Sequence, residues 1–161
     1  MFTLRTSSVG QTRSLAVALA PVLRDGDLVL LTGDLGAGKT AFVQGLGRGL
    51  LVADRITSPT FTIMQHYDGR LPVHHVDAYR LDSPTEVFEL ALPEVLDEGG
   101  VMVVEWGERV RAGVDREYLE LSFTFGVDDD ERDIEVQLVG RSWVERNPTI
   151  RTVLSPWTRE G

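Results

Sequence analysis

The chain has 161 residues, 42% of them hydrophobic, with a formal net charge of −9 and no cysteine. That is the size of one globular domain with a single core, and the absence of thiols excludes disulfides and thiolate metal sites, as fits a reducing compartment. No apolar run approaches the ~20 residues of a membrane span, and no cluster of Lys or Arg is dense enough to neutralise several nucleic-acid phosphates.

The N-terminus "MFTLRTSSVG" lacks the layout of a signal peptide, so a cytoplasmic chain without membrane contact is expected. "FTLRTSS" reads as a short edge strand. In "GQTRSLAVALAPVL", Leu15, Leu19 and Val22 fall at i, i+4 and i+7 on one helical face, and Pro21 shortens or kinks that helix. The continuous apolar run "DLVLLT" predicts a strand buried on both faces of a parallel sheet, followed by a helix from about Lys39 to Leu50. "PVHHVDAYRL" reads as a second strand, on which the adjacent His74 and His75 point to opposite faces and so form no zinc pair.

"SPTEVFELALPEVL" predicts a helix opened by a capping box, with Ser83 at the cap, Pro84 first and Glu86 three after the cap, divided at Pro93. "GVMVVEW" is a third apolar strand. "YLELSFTF" places Leu119, Leu121, Phe123 and Phe125 on one face, and "DIEVQLV" does the same with Ile134, Val136 and Leu138. The turn-rich, solvated acidic run between them predicts an antiparallel hairpin. The order predicts an α/β, P-loop NTPase-like three-layer fold, with a mostly parallel sheet and an antiparallel hairpin at its edge. Its domain spans residues 1–140; residues 141–161, without clear periodicity, form a tail that packs or stays mobile.

Gly33-x-x-x-x-Gly38-Lys39-Thr40 is the phosphate-binding loop pattern, set between a buried strand and a helix. Glycines let the backbone curl so that amides face phosphate oxygens, and the helix adds its positive end, making Gly33, Leu35, Gly36, Ala37, Gly38, Lys39 and Thr40 the nucleotide-binding stretch. Lys39 is the only lysine; the other fifteen of the sixteen basic residues are arginine. A compact ammonium enters the narrow bay beside the β- and γ-phosphates, where a planar guanidinium would not.

Thr40 is expected to place its hydroxyl on Mg²⁺, with a second contact from a carboxylate ending an apolar strand. Glu105, closing "VMVVE", fits best; Asp77, closing "PVHHVD", is the rival and could instead orient the attacking water or a metal-bound water. "ITSPTFT", with Ser58, Thr60 and Thr62, could close on the terminal phosphate and reorder on hydrolysis. An Asn-Lys-x-Asp guanine motif would need a second lysine, so ATP is favoured over GTP.

With the loop, "SPTFT", "HVDAYRL" and "VVEW" in this order, the chain resembles the TsaE family over about residues 5 to 140. These small bacterial ATPases support synthesis of threonylcarbamoyladenosine at position 37 of certain tRNAs. The resemblance implies ATP on Gly33 to Thr40, Mg²⁺ on Thr40 and Glu105, and a switch-like loop around Thr60. It makes Lys39, Asp77 and Glu105 the catalytic set, places Trp106 beside the nucleotide and lets Arg132 contact it. It also implies TsaD and TsaB as partners, bound near their interface so that hydrolysis resets the complex, with transfer left to TsaD and tRNA met only indirectly.

One departure is that "RGLLVADRITS" lacks the glycine that commonly ends the loop helix in the family. Two other readings of the loop stay open. A small-molecule kinase would bring arginines over the phosphates from a lid, yet residues 82 to 100 contain none. A nucleotide-sensing module would bind ATP without needing to cleave it. Arg80 of "AYRL" could help neutralise a transition state in cis.

Overall fold

The computed structural model describes residues 1–59 and 62–159. In chain order its first half comprises β1 (Phe2–Thr6), α1 (Val9–Leu19), β2 (Leu28–Gly33), α2 (Lys39–Gly49), β3 (Met64–Tyr67) and β4 (Val73–Asp77). The second half comprises α3 (Pro84–Glu89), α4 (Leu92–Asp97), β5 (Val101–Glu105), β6 (Tyr118–Phe125), β7 (Arg132–Val139), α5 (Arg141–Glu145) and α6 (Asn147–Leu154).

The strands form one sheet in the order β1-β7-β6-β2-β5-β4-β3. Its centre, β6-β2-β5-β4, is parallel, and the most apolar runs of the sequence, β2 and β5, lie side by side there. Parallel neighbours require crossovers, and these cover both faces. Val29, Leu31, Val103, Leu119 and Leu121 face a layer that includes Leu15, Phe42, Leu46 and Ile150 from α1, α2 and α6. Leu28, Leu30, Val76, Met102 and Val104 face Val87, Leu92 and Leu96 of α3 and α4. This is the three-layer α/β arrangement expected.

Two details differ from the expected sheet. Strand β1 pairs antiparallel with the outer side of β7, so the β6–β7 hairpin lies one strand inside the edge. At the opposite edge β3 pairs antiparallel with β4. Its sequence, "MQHY", covers only four positions and none is fully buried, so it carries no apolar alternation.

Helix α1 is capped by Ser8, whose Oγ accepts from the Gln11 amide, while Gln11 Oε1 accepts from the Ser7 amide. It stops at Leu19 and passes into a 3-10 turn at Ala20–Val22 that contains Pro21, which has no N–H to continue the ladder. The α1–α2 contact is close enough that a Cβ on Gly45 would stand 2.3 Å from the Arg13 carbonyl oxygen. The capping box of α3 is present as expected. The break before α4 falls at Ala91, in a left-handed conformation at φ 51°, with Pro93 in the first turn of the new helix. Pro93 has no N–H to donate to the turn before it, so α3 does not continue through it and the chain restarts after Ala91 with the proline in the first turn, where no donor is needed.

Residues 141–159 are packed. Trp143, Ile150 and Leu154 join the core over α1, and Thr158 bridges to Leu4 of the edge strand. Arg146 donates to both carboxylate oxygens of Asp27, at 2.7 and 2.8 Å, and to the Val22 carbonyl, with its guanidinium 3.9 Å from the Trp143 ring centre. Gly140 is therefore no boundary between cores.

Candidate nucleotide site

The loop between β2 and α2 is shaped by close approach. At Gly33, φ is 135° and a Cβ would meet the Phe123 carbonyl oxygen at 2.5 Å, so a side chain has neither the conformation nor the space. Gly38 caps α2 at φ 106°. The first amides of α2, on Lys39, Thr40 and Ala41, have no intrahelical acceptor and add to the positive end of the helix dipole.

Leu35 projects from the loop tip, 78% exposed, while Ala37 is buried and donates to the Asp34 carbonyl. Arg132, from β7, donates to the carbonyls of Ala37 (3.1 Å) and Gly36 (3.3 Å), so its guanidinium braces the loop backbone.

Lys39 is 5% exposed, and its Nζ donates to the Gly33 and Asp34 carbonyls at 2.5 and 2.8 Å. The ammonium lies 4.2 Å from the Trp106 ring centre. Burial pushes its pKa below the ordinary lysine value; Glu105, Glu108, Asp34 and Asp77 pull the other way and do not offset it. A charge held this way, under-compensated and beside orphan amides, is arranged to receive an anion.

Glu105 and Asp77 end adjacent parallel strands and stand opposite each other in register, at the carboxyl edge where open α/β sheets take ligands. Thr40, in the first turn of α2, donates its hydroxyl to Glu105 Oε1 at 2.7 Å and lies 3.0 Å from Ser58 Oγ. Asp77 Oδ1 accepts from the Tyr79 amide at 3.0 Å. A cleft of about 380 Å³ joins Lys39, Thr40, Ser58, Asp77, Glu105 and Trp106.

Thr40, Ser58, Asp77 and Glu105 bring hard oxygen donors to this cleft, the kind Mg²⁺ takes. A hydroxyl has one proton and two lone pairs, so Thr40 can hold Glu105 through its proton and still offer oxygen to a cation. Among the described residues no group of three or more His, Cys, Asp and Glu side chains is gathered as a metal set. The donors therefore fit an ion that takes most of its oxygens from phosphate and water.

Thr62 is exposed near the start of β3, Arg80 is exposed after β4, and Thr60 lies outside the described residues. One partner of the site goes unnoticed in a reading of strands alone. His75 is fully buried, and its Nε2 lies 2.6 Å from Glu105 Oε2. The available signal is the period of a strand: His75 and Asp77, two apart at its carboxyl end, share a face.

A strand–loop–helix with its lysine, an acid closing the neighbouring parallel strand, and helices on both faces of the sheet define the P-loop NTPase-like fold class. The family model described as "Threonylcarbamoyl adenosine biosynthesis protein TsaE" matches residues 6–134. Proteins named tRNA threonylcarbamoyladenosine biosynthesis protein TsaE are similar over most of the chain. The one from Nostoc sp. is 43% identical over 131 residues, 78% of each chain. That from Bacillus subtilis is 38% identical over 140 residues, 86% of this chain and 87% of its own. The crystal structure of Bacillus subtilis YdiB superposes with a TM-score of 0.76 at 33% identity, covering 93% of both chains. The chain belongs to the TsaE family. Among the described residues no helix is long and apolar enough to cross a membrane.

Proposed function

We propose that this chain is the Mg²⁺-dependent ATPase subunit of threonylcarbamoyladenosine synthesis at adenosine 37 of tRNA, acting in the cytoplasm with TsaD and TsaB and leaving the transfer itself to TsaD. The observation that carries the reading is the convergence of Lys39, Thr40, Glu105 and Asp77 on one cleft beside a helix N-terminus, in a chain of this family.

The triphosphate seats on the loop amides from Gly33 to Thr40. Lys39 turns its ammonium from the Gly33 and Asp34 carbonyls to the β- and γ-phosphates, exchanging weak acceptors for charged ones. Thr40 and Glu105 hold Mg²⁺, which neutralises charge on the phosphates. Asp77, opposite Glu105, orients the attacking water; phosphoryl transfer needs little beyond such positioning and charge neutralisation. The Thr40–Ser58 contact ties the segment after α2 to the metal position, so that loop senses the state of the nucleotide. Arg132 acts on the nucleotide by holding the loop that cradles it.

Water as the acceptor is favoured over a metabolite because α3 and α4, where a kinase lid would sit, pack on the sheet face away from α2 and carry no arginine. A net charge of −9 fits a chain that meets proteins and leaves tRNA to its partners. The test is phosphate release from Mg-ATP by the purified chain alone and with TsaD, TsaB and tRNA. Release that rises with the partners and is lost in Lys39→Ala is expected. A Lys39→Ala chain that sustains repeated rounds of modification as well as the wild type would overturn the reading.

A further inference from the structure

We propose that His75 is a positioning residue for the Mg²⁺ site: its Nε2–H fixes the plane of the Glu105 carboxylate, so that Oε1 and the Thr40 hydroxyl stay together for the cation. The inference rests on the functional reading above and gives a role to the histidine of "HVDAYRL", to which that reading assigns none.

His75 sits inside β4 with no exposed surface, between Val73 and Asp77 on the face turned toward α2. An imidazole there is costly compared with an aliphatic side chain unless its polar atoms are used. Among the described residues Nδ1 is buried with no hydrogen-bond partner. A proton on Nδ1 would therefore be an unpaired buried donor, whereas a proton on Nε2 meets Glu105 Oε2 at 2.6 Å. The arrangement selects the Nε2–H tautomer, donating to an ionised carboxylate.

The two oxygens of Glu105 are then held from two different elements. Oε2 takes the donor from β4 and Oε1 takes the Thr40 hydroxyl from α2, at 2.7 Å. One donor alone would leave the carboxylate free to rotate about its last bond; two at opposite oxygens set its plane. Because Thr40 has one proton and spends it on Oε1, its lone pairs face the cation position only while Glu105 keeps this orientation. This is the outer-shell donor to a ligating carboxylate that tunes metal affinity.

The experiment compares wild type with His75→Leu, which fills the space without a donor, and His75→Gln, whose amide N–H can replace Nε2–H. The readout is the change in tryptophan fluorescence during Mg²⁺ titration at fixed ATP, Trp106 being the one of the three tryptophans that lines the cleft, beside ATP affinity in EDTA. His75→Leu should raise the Mg²⁺ needed for half-saturation about tenfold or more and change the affinity in EDTA by less than about twofold; His75→Gln should recover most of the loss. A folded His75→Leu protein with the wild-type Mg²⁺ curve would overturn the proposal and leave His75 a space-filling residue. If His75→Leu does not fold, a His75→Gln protein that needs about tenfold more Mg²⁺ than the wild type overturns it equally. Nitrogen-15 NMR of the nucleotide-free wild type tests the contact independently: the Nε2–H tautomer is required, and Nδ1–H refutes it. Failure of the wild type to bind ATP at all would defeat the functional reading instead, and the NMR result would still decide the His75–Glu105 contact.

Discussion

Thr40 and Glu105 are 65 positions apart in sequence, and the hydroxyl of the first donates to the carboxylate of the second at 2.7 Å. One belongs to the first turn of α2 and the other ends β5, so the contact forms only when the strand beside β2 is in register. Thr40→Val keeps the side-chain shape and removes both the proton and the oxygen. Nucleotide affinity without Mg²⁺ should stay within about twofold, while phosphate release falls by ~10²-fold or more, because charge neutralisation is most of what phosphoryl transfer asks of a protein. Calorimetry in EDTA and a phosphate-release assay separate the two effects. Thr40→Ser should recover much of the activity.

What was legible in the sequence was local. The runs Leu28–Leu31 and Val101–Val104 are apolar because both faces of each strand are covered, so burial writes itself into consecutive residues. The loop is legible because close backbone packing at Gly33 admits one residue type. The strand β3 was not, since an exposed edge needs no apolar face. Nor was the tail: Arg146 finds Asp27 across 119 positions, and neither residue looks unusual in its own neighbourhood. His75 reads as a polar interruption of a strand until Glu105 is placed beside it.

Lys39 should make ATP binding sensitive to alkaline pH. Burial lowers its pKa from 10.5. The folded chain therefore releases this proton at lower pH than the unfolded chain, and the lysine subtracts stability at neutral pH. That penalty lifts as pH rises through the folded value toward the unfolded one. A triphosphate needs the ammonium and draws the pKa back up, so binding takes up a proton once the free site has begun to lose it. Affinity should decline at a pH where an ordinary lysine is still charged. Calorimetry in buffers of different ionisation enthalpy would detect the proton uptake. Affinity that stays flat up to the ordinary lysine value would contradict the buried placement.

Arg146 and Asp27, 4% and 7% exposed, should matter for stability and little for the nucleotide. Arg146→Met leaves the Asp27 carboxylate buried beside a thioether, with one remaining donor from the Arg24 amide. Removing one partner of such a pair costs about 3–5 kcal/mol. Urea unfolding of Arg146→Met should show a midpoint lowered accordingly. Asp27→Asn together with Arg146→Met should recover part of the loss, since no charge then stays buried. ATP affinity measured well below the unfolding midpoint should match the wild type.

Leu51 explains how α2 ends without the expected glycine. Its φ is 62°, its amide donates to Arg48 O at 3.1 Å, and the Val52 amide reaches back to Gly47 O at 2.9 Å. These are the two bonds of a Schellman ending, which normally has glycine at the left-handed position. Leucine is placed there at a steric cost of roughly 1–2 kcal/mol, and at 73% exposure its side chain recovers little by burial. Leu51→Gly relieves the strain but gives the unfolded chain more freedom to lose, which offsets roughly 0.4–1 kcal/mol. The net expectation is a stabilisation of about 0.5–1 kcal/mol, seen as a higher urea midpoint at unchanged slope. Leu51→Ala should gain nothing comparable, because it keeps the Cβ that makes the conformation costly. A Leu51→Gly protein less stable than the wild type would mean that the leucine side chain packs more than its exposure indicates.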